Sequence, residues 1–160
     1  MELTLYKERP PELMAALAGV WRRSVEATHA FLGLADIERL EPLVKAALAE
    51  IPVLIVASDS DVPAGFMGLA DGKIEMLFLS PDYAGQGTGR RLVELAIRTY
   101  GVRYVDVNEQ NPGARGFYEH MGFEAVERLA RDDQGNPFPI LKMRLRYEDG
   151  DNASPDSPTP

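Results

Sequence analysis

A mixed β-sheet flanked by helices, in the α/β (α+β mixed sheet) class, is predicted by three features of this 160-residue chain. Strand-length apolar runs are interspersed with longer segments whose apolar residues recur at helical spacing. Three strand-like runs follow one another across short turns, which reads as an antiparallel meander, and the next run is reached through a helix, which reads as a crossover to a parallel neighbour. Between the third of those strands and the crossover helix lies Gly85-Gln86-Gly87-Thr88-Gly89, a loop with glycine at every second position.

Taken in order, residues 3–6 alternate as a short strand. Pro10 and Pro11 open a helix, since proline is tolerated in a first turn, and Leu13, Leu17, Val20, Trp21 and Val25 give it an apolar face. Arg22, Arg23, Ser24, Glu26, Thr28 and His29 crowd its end. A second helix is expected from about Asp36, as N-cap, to Glu50, with Pro42 bending or delaying it. Strands follow at 53–57, 64–70 and 74–79, the last stopped by Ser80-Pro81-Asp82. The crossover helix carries Leu92, Val93, Ala96 and Ile97 and closes on Gly101. A strand at 104–108, a short helix at 111–121 ended by Gly122, and strands at 123–129 and 140–147 complete the order β-α-α-β-β-β-α-β-α-β-β. One domain is expected over 1–147, and 148–160, rich in Pro, Ser, Asp, Asn and Gly, reads as a disordered acidic tail.

Composition excludes several classes. There is no cysteine, hence no disulfide, thiolate metal site or acyl-cysteine intermediate, and His29 and His120 are the only histidines, without the acidic partners that would make a metal site. The formal net charge is −8, half of it from Glu148, Asp149, Asp151 and Asp156, which argues against nucleic acid as a partner and allows a cationic substrate. The charged N-terminus lacks the apolar core of a signal peptide and no run of 18 apolar residues occurs, so a cytoplasmic protein with no membrane partner is expected.

The glycine loop carries the chemistry. Alternate glycines let the backbone take positive φ and approach a ligand, and the helix that follows presents N–H groups with no internal partner and a partial positive charge. That geometry binds phosphate. A P-loop would need Lys-Ser or Lys-Thr after the glycines, and the dinucleotide fingerprint needs G-x-G-x-x-G where this chain has G-x-G-x-G.

At these residues the chain resembles the GNAT superfamily of acyl-CoA-dependent N-acyltransferases, whose pyrophosphate loop reads [RQ]-x-x-G-x-[GA]. Gly87 and Gly89 match, and Ala84 departs from the first position. The segment from Asn111 through Ala114, Phe117, Tyr118 and Gly122 to Phe123 is similar to the family's N-x-x-A-x-x-F-Y-x-x-x-G-F at every named position. Trp21 to His29 and Val107 to Asn111 resemble small single-domain bacterial members carrying W-x-x-S-V-x-A-T-H and V-N-E-Q-N.

The resemblance implies a GNAT-like fold and an N-acetyltransferase that passes an acetyl group from acetyl-CoA to a primary amine by direct attack, without a metal. It implies pyrophosphate contacts along Ala84, Gly85, Gln86, Gly87, Thr88, Gly89 and Arg90, with Arg91 a further candidate. An oxyanion contact is implied from backbone near Leu77, Phe78 and Leu79, where the family's strand bulges. Tyr118 is implied as general acid to the departing thiolate and Glu75 as general base, with Glu109 an alternative. Asn111 and Phe117 are implied beside the cofactor, while Ser24 and His29 are candidates for the acceptor side. The acceptor, a small molecule or a protein amine, is left open, as is homodimerisation. A catalytically silent acetyl-CoA-binding sensor or scaffold is the alternative.

Overall fold

The computed structural model describes residues 1–29 and 31–146, so the expected tail and Tyr147 lie outside the described residues. The chain divides into two units, Met1–Val105 and Asp106–Pro160. In the first, β1 (Glu2–Tyr6), β2 (Val53–Asp59), β3 (Val62–Ala70) and β4 (Lys73–Leu79) pair antiparallel in sequence order. The start of β5 (Tyr104–Asn108) joins β4 in parallel through Lys73↔Tyr104 and Ile74↔Val105. The sheet is therefore mixed, as the meander and crossover predict. Two-residue turns at Ser60-Asp61 and Asp71-Gly72, all with positive φ, supply the twist that closes tight hairpins.

Three helices accompany these strands: α1 (Pro11–Thr28), α2 (Leu34–Glu50) and α3 (Thr88–Tyr100). Strand alternation sorts the sheet's side chains between two faces. Leu54, Val56 and Phe66 join Leu17, Val20, Trp21, Val25, Ile37 and Leu48 in one buried cluster, with Met76 and Phe78 packed against it, so this face is covered by α1 and α2. The opposite parity carries Ile55, Ala57 and Met67, and α3, with buried Leu92, Val93 and Ala96, packs on β2, β3 and β4 from that side.

The strands at 53–57 and 64–70 extend to Asp59 and back to Val62, and α2 differs from the sequence reading in two respects. Asp36 is not the N-cap of α2; Gly33 is, and Asp36 sits in the first turn with Oδ2 accepting from the Gly33 N–H at 3.0 Å. A carboxylate in the first turn satisfies a free amide and the helix dipole together, which here favours a cap three residues earlier. Pro42 lies inside α2, which runs unbroken to Glu50.

The end of α2 is held from a distance. Arg9 donates to the carbonyls of Tyr6 (3.3 Å), Leu48 (2.7 Å) and Ile51 (2.9 Å), placing a cation on the negative helix terminus and tying it to β1. Arg9→Ala is expected to lower stability by about 1.5–3 kcal/mol, because three hydrogen bonds from a charged donor are lost. A denaturant midpoint unmoved in this variant would show that the α2 terminus is satisfied without Arg9.

The second unit contains the remainder of β5, then α4 (Pro112–His120) and the antiparallel pair β6 (Phe123–Leu129) and β7 (Ile140–Leu145). Val107, Tyr118, Phe123, Leu141, Met143 and Leu145 are its buried apolar residues.

Candidate active site

The phosphate loop is built as its glycines require. Past β4, Ser80 is buried and donates its N–H to Ala64 O at 2.8 Å. A single 3-10 turn, Pro81–Tyr83, follows, capped by Ser80 Oγ. Gly85 (φ 78°) and Gly87 (φ 79°) are both left-handed, and a Cβ at either would meet nothing within 4 Å, so the loop faces open space. Gly87 is the N-cap of α3 and supplies no side-chain cap. The first intrahelical bond runs from Arg91 N to Gly87 O at 3.0 Å, which leaves the N–H groups of Thr88, Gly89 and Arg90 without intrahelical acceptors. Three uncapped amides at the positive end of a thirteen-residue helix suit an anionic ligand.

The side chains around them are committed elsewhere. Thr88 is buried. Arg90 pairs with Glu94 at 3.2 Å on the surface, and Arg91 donates to Met1 O at 2.8 Å. Neither arginine is locked on the loop. Tyr83 hydrogen-bonds Asp59; burial and that carboxylate raise its pKa. This link pins the loop's entry to the β2–β3 hairpin and had no signal in the sequence, because only hairpin register brings the two together.

On β4, the register with β3 shifts between Leu69↔Ile74 and Gly68↔Met76, so the extra residue is Glu75, which is exposed. The irregularity is thus earlier than the 77–79 stretch expected from the resemblance. Leu77, Phe78 and Leu79 pair regularly with Met67, Phe66 and Gly65. The reason is steric: a Cβ on Gly65 would lie 2.9 Å from Phe78 O, so β4 runs tight against β3 there. Phe78 turns toward α1, 5.7 Å from Phe66 and 6.5 Å from the His29 ring.

His29 ends α1. Its ring packs 5.3 Å from Phe31, and Thr28 Oγ1 touches both Ser24 O and His29 Nδ1 at 2.8 Å. Ser24 itself is buried. The first unit therefore brings His29, Phe31 and Phe78 together.

In the second unit Asn111 caps α4, Oδ1 accepting from Ala114 N at 3.2 Å. Phe117 is half-buried and edge-on to Tyr118 at 5.0 Å, and Phe123 meets the other side of Tyr118 at 5.6 Å. Tyr118 is only 6% exposed, and among the described residues nothing hydrogen-bonds its hydroxyl. Desolvation pushes its pKa well above the ordinary phenol value, so it is a neutral donor at pH 7. Glu109 is held differently: both its oxygens take Arg128, at 2.6 and 2.9 Å, and the guanidinium keeps its carboxyl below the usual range, which makes it a weak proton acceptor. His120 is exposed. Among the described residues no cluster of three or more His, Cys, Asp or Glu is able to hold a metal ion, and no helix is long and apolar enough to cross a membrane.

The Acetyltransferase (GNAT) domain model matches residues 32–146, most of the chain. The chain belongs to the GNAT acetyltransferase family. It is 45% identical over 127 residues to the peptidyl-lysine N-acetyltransferase YjaB of Salmonella typhimurium, covering 79% of this chain and 88% of that protein. The solution structure of the apo form of YjaB from Escherichia coli superposes with TM-score 0.81 at 39% identity, covering 92% of this chain and all of that one. The GNAT fold is shared more distantly with PaiA N-acetyltransferase from Thermoplasma acidophilum, solved in complex with coenzyme A, at TM-score 0.66 and 20% identity over 92% of this chain and all of that one. The protein is an acyltransferase of GNAT type, with the mixed sheet and element order that its sequence predicts.

Proposed function

We propose that this GNAT enzyme transfers the acetyl group of acetyl-CoA to a lysine side-chain amine of a protein, by direct attack in a ternary complex. The observation that carries the transfer chemistry is Tyr118: a buried neutral phenol whose hydroxyl has no hydrogen-bond partner among the described residues suits a donor waiting for an external acceptor. The peptidyl-lysine acceptor is favoured by the likeness to the peptidyl-lysine N-acetyltransferase YjaB, at 45% identity.

The residues present fit the coenzyme. The amides of Thr88, Gly89 and Arg90, with the left-handed Gly85 and Gly87, would hold its pyrophosphate, and Asn111 and Phe117 would line its acyl end. When bound, it supplies the thioester carbonyl. Glu75 takes a proton from the substrate ammonium, directly or through water; at a pKa of roughly 10 most of that amine is charged at neutral pH. Backbone N–H groups over 77–79 meet the carbonyl oxygen as it takes up charge. The amine nitrogen bonds to the carbonyl carbon, the C–S bond breaks, and Tyr118 gives its proton to the sulfur.

The test is thiol release from acetyl-CoA in the presence of Nα-acetyl-lysine amide or a lysine-containing peptide, with mass spectrometry of the product. Release dependent on the amine, with 42 Da added to the lysine, is the expected result. Saturable acetyl-CoA binding with no transfer to any amine would favour a sensor or scaffold instead.

A further inference from the structure

An alkylammonium must shed two protons to become an amide N–H: one before it attacks, and one from the nitrogen once that atom is bonded to the carbonyl carbon. Glu75 accounts for the first, and the proton Tyr118 gives to sulfur does not serve the second. The inference here rests on the proposed transfer and concerns where that second proton goes.

The hydrogen-bond pattern at the end of α1 fixes one histidine tautomer. Thr28 Oγ1 lies 2.8 Å from both Ser24 O and His29 Nδ1. A carbonyl only accepts, so the single hydroxyl proton of Thr28 goes to Ser24 O, and Oγ1 is left to accept from the ring. His29 therefore carries its proton on Nδ1, and Nε2 is a bare lone pair. The backbone holds the residue in place, with His29 N bonded to Val25 O at 2.8 Å and Leu32 N to His29 O at 2.9 Å. The ring is set between Phe31 and Phe78, and Phe78 belongs to the strand that carries Glu75 and the 77–79 backbone. Packing among aromatic rings disfavours the imidazolium and keeps the ring neutral at pH 7, the lowered pKa arising from burial.

We infer that His29 is a second catalytic proton acceptor on the amine side, Nε2 taking the proton from the attacking nitrogen after it bonds to the acetyl carbon, while Thr28 and Ser24 set the tautomer that makes this possible. The nitrogen loses one N–H bond, Nε2 gains it, and the imidazolium returns the proton to solvent after product leaves.

His29→Asn is the informative variant, because the asparagine amide can still donate to Thr28 Oγ1 but has nothing in place of Nε2. With acetyl-CoA and Nα-acetyl-lysine amide, it is expected to lower kcat about 100-fold, in the range general-base removal produces, while the KM for acetyl-CoA is unchanged. Imidazole added to the buffer is expected to restore part of the rate. A kcat within twofold of the parent, or a reduced kcat that imidazole leaves untouched, would overturn the role. A second measurement needs no variant: nitrogen-15 NMR of the parent at pH 7 should show His29 protonated on Nδ1 and bare on Nε2, and a proton on Nε2 would overturn the inference irrespective of rates. A parent that turns over no amine at all sinks the transfer proposal and this inference together, whereas turnover that His29→Asn retains sinks only the latter.

Discussion

Gly87→Glu is expected to weaken acetyl-CoA binding by at least about 100-fold, measured by calorimetric titration, with ATP and NAD as controls that bind neither form. Two effects add. Gly87 has φ 79°, where an L side chain costs on the order of 1–2 kcal/mol, so the loop relaxes away from the conformation that caps α3. The new carboxylate also stands beside the three uncapped amides of α3, occupying the positive end that a pyrophosphate would use and repelling it, which near a protein surface is worth several kcal/mol at contact distance. Each 1.4 kcal/mol is tenfold in affinity. Gly87→Ala separates the two, because a Cβ there meets no atom within 4 Å and only the backbone strain remains; it is expected to lose about tenfold. Binding by Gly87→Glu within threefold of the parent would mean that the pyrophosphate is held elsewhere.

That the loop was legible in sequence while the strand beside it was not has a physical reason. Gly85 and Gly87 act through their own φ values, a local property that composition announces. The same is true of Pro11 at the start of α1 and Gly101 in the left-handed conformation at the end of α3. The position of the β4 irregularity depends instead on what lies across the sheet. A Cβ on Gly68 would fall 2.8 Å from Met76 Cε and 3.1 Å from Ile51 Cγ1, so Met76 and Ile51 fit above a bare backbone next to the step in register at Glu75. No feature of residues 73–79 taken alone encodes that. The same holds for Tyr83 with Asp59, for the carbonyls gathered by Arg9, and for Phe78 against His29: each partnership spans the chain and is created by register and packing. Asn111 lies between these cases. Its N-cap role is local, whereas Tyr118, seven residues on, is legible as a motif residue but not as a hydroxyl without a hydrogen-bond partner among the described residues, since that depends on Phe117 and Phe123 closing around it.

Tyr118→Phe is expected to lower kcat by about 10²–10³ while acetyl-CoA binds within twofold of the parent, because the ring stays and only the proton donor goes. What distinguishes this from a packing defect is stability. A buried hydroxyl with no partner is a desolvated polar group that costs about 1–3 kcal/mol in the folded state, so its removal should leave Tm unchanged or raise it, whereas loss of a structural hydrogen bond would lower it. Gain in stability with loss of turnover is the signature of a group kept for chemistry. The pH dependence follows from the same burial. The folded phenol titrates above its ordinary value, so Tyr118 remains a protonated donor throughout the range from pH 6 to about 10, and an alkaline fall in kcat below pH 10 belongs to another group. For stability the sign is fixed as well: a raised folded-state pKa means that the unfolded chain loses its proton first, so stability is complete below the unfolded value near 10 and falls as pH rises beyond it. Denaturation followed from pH 9 to 11 should show a steeper alkaline loss in the parent than in Tyr118→Phe. Equal slopes, or a phenylalanine variant that turns over at the parental rate, would remove Tyr118 from the reaction and leave the acid to be sought in solvent.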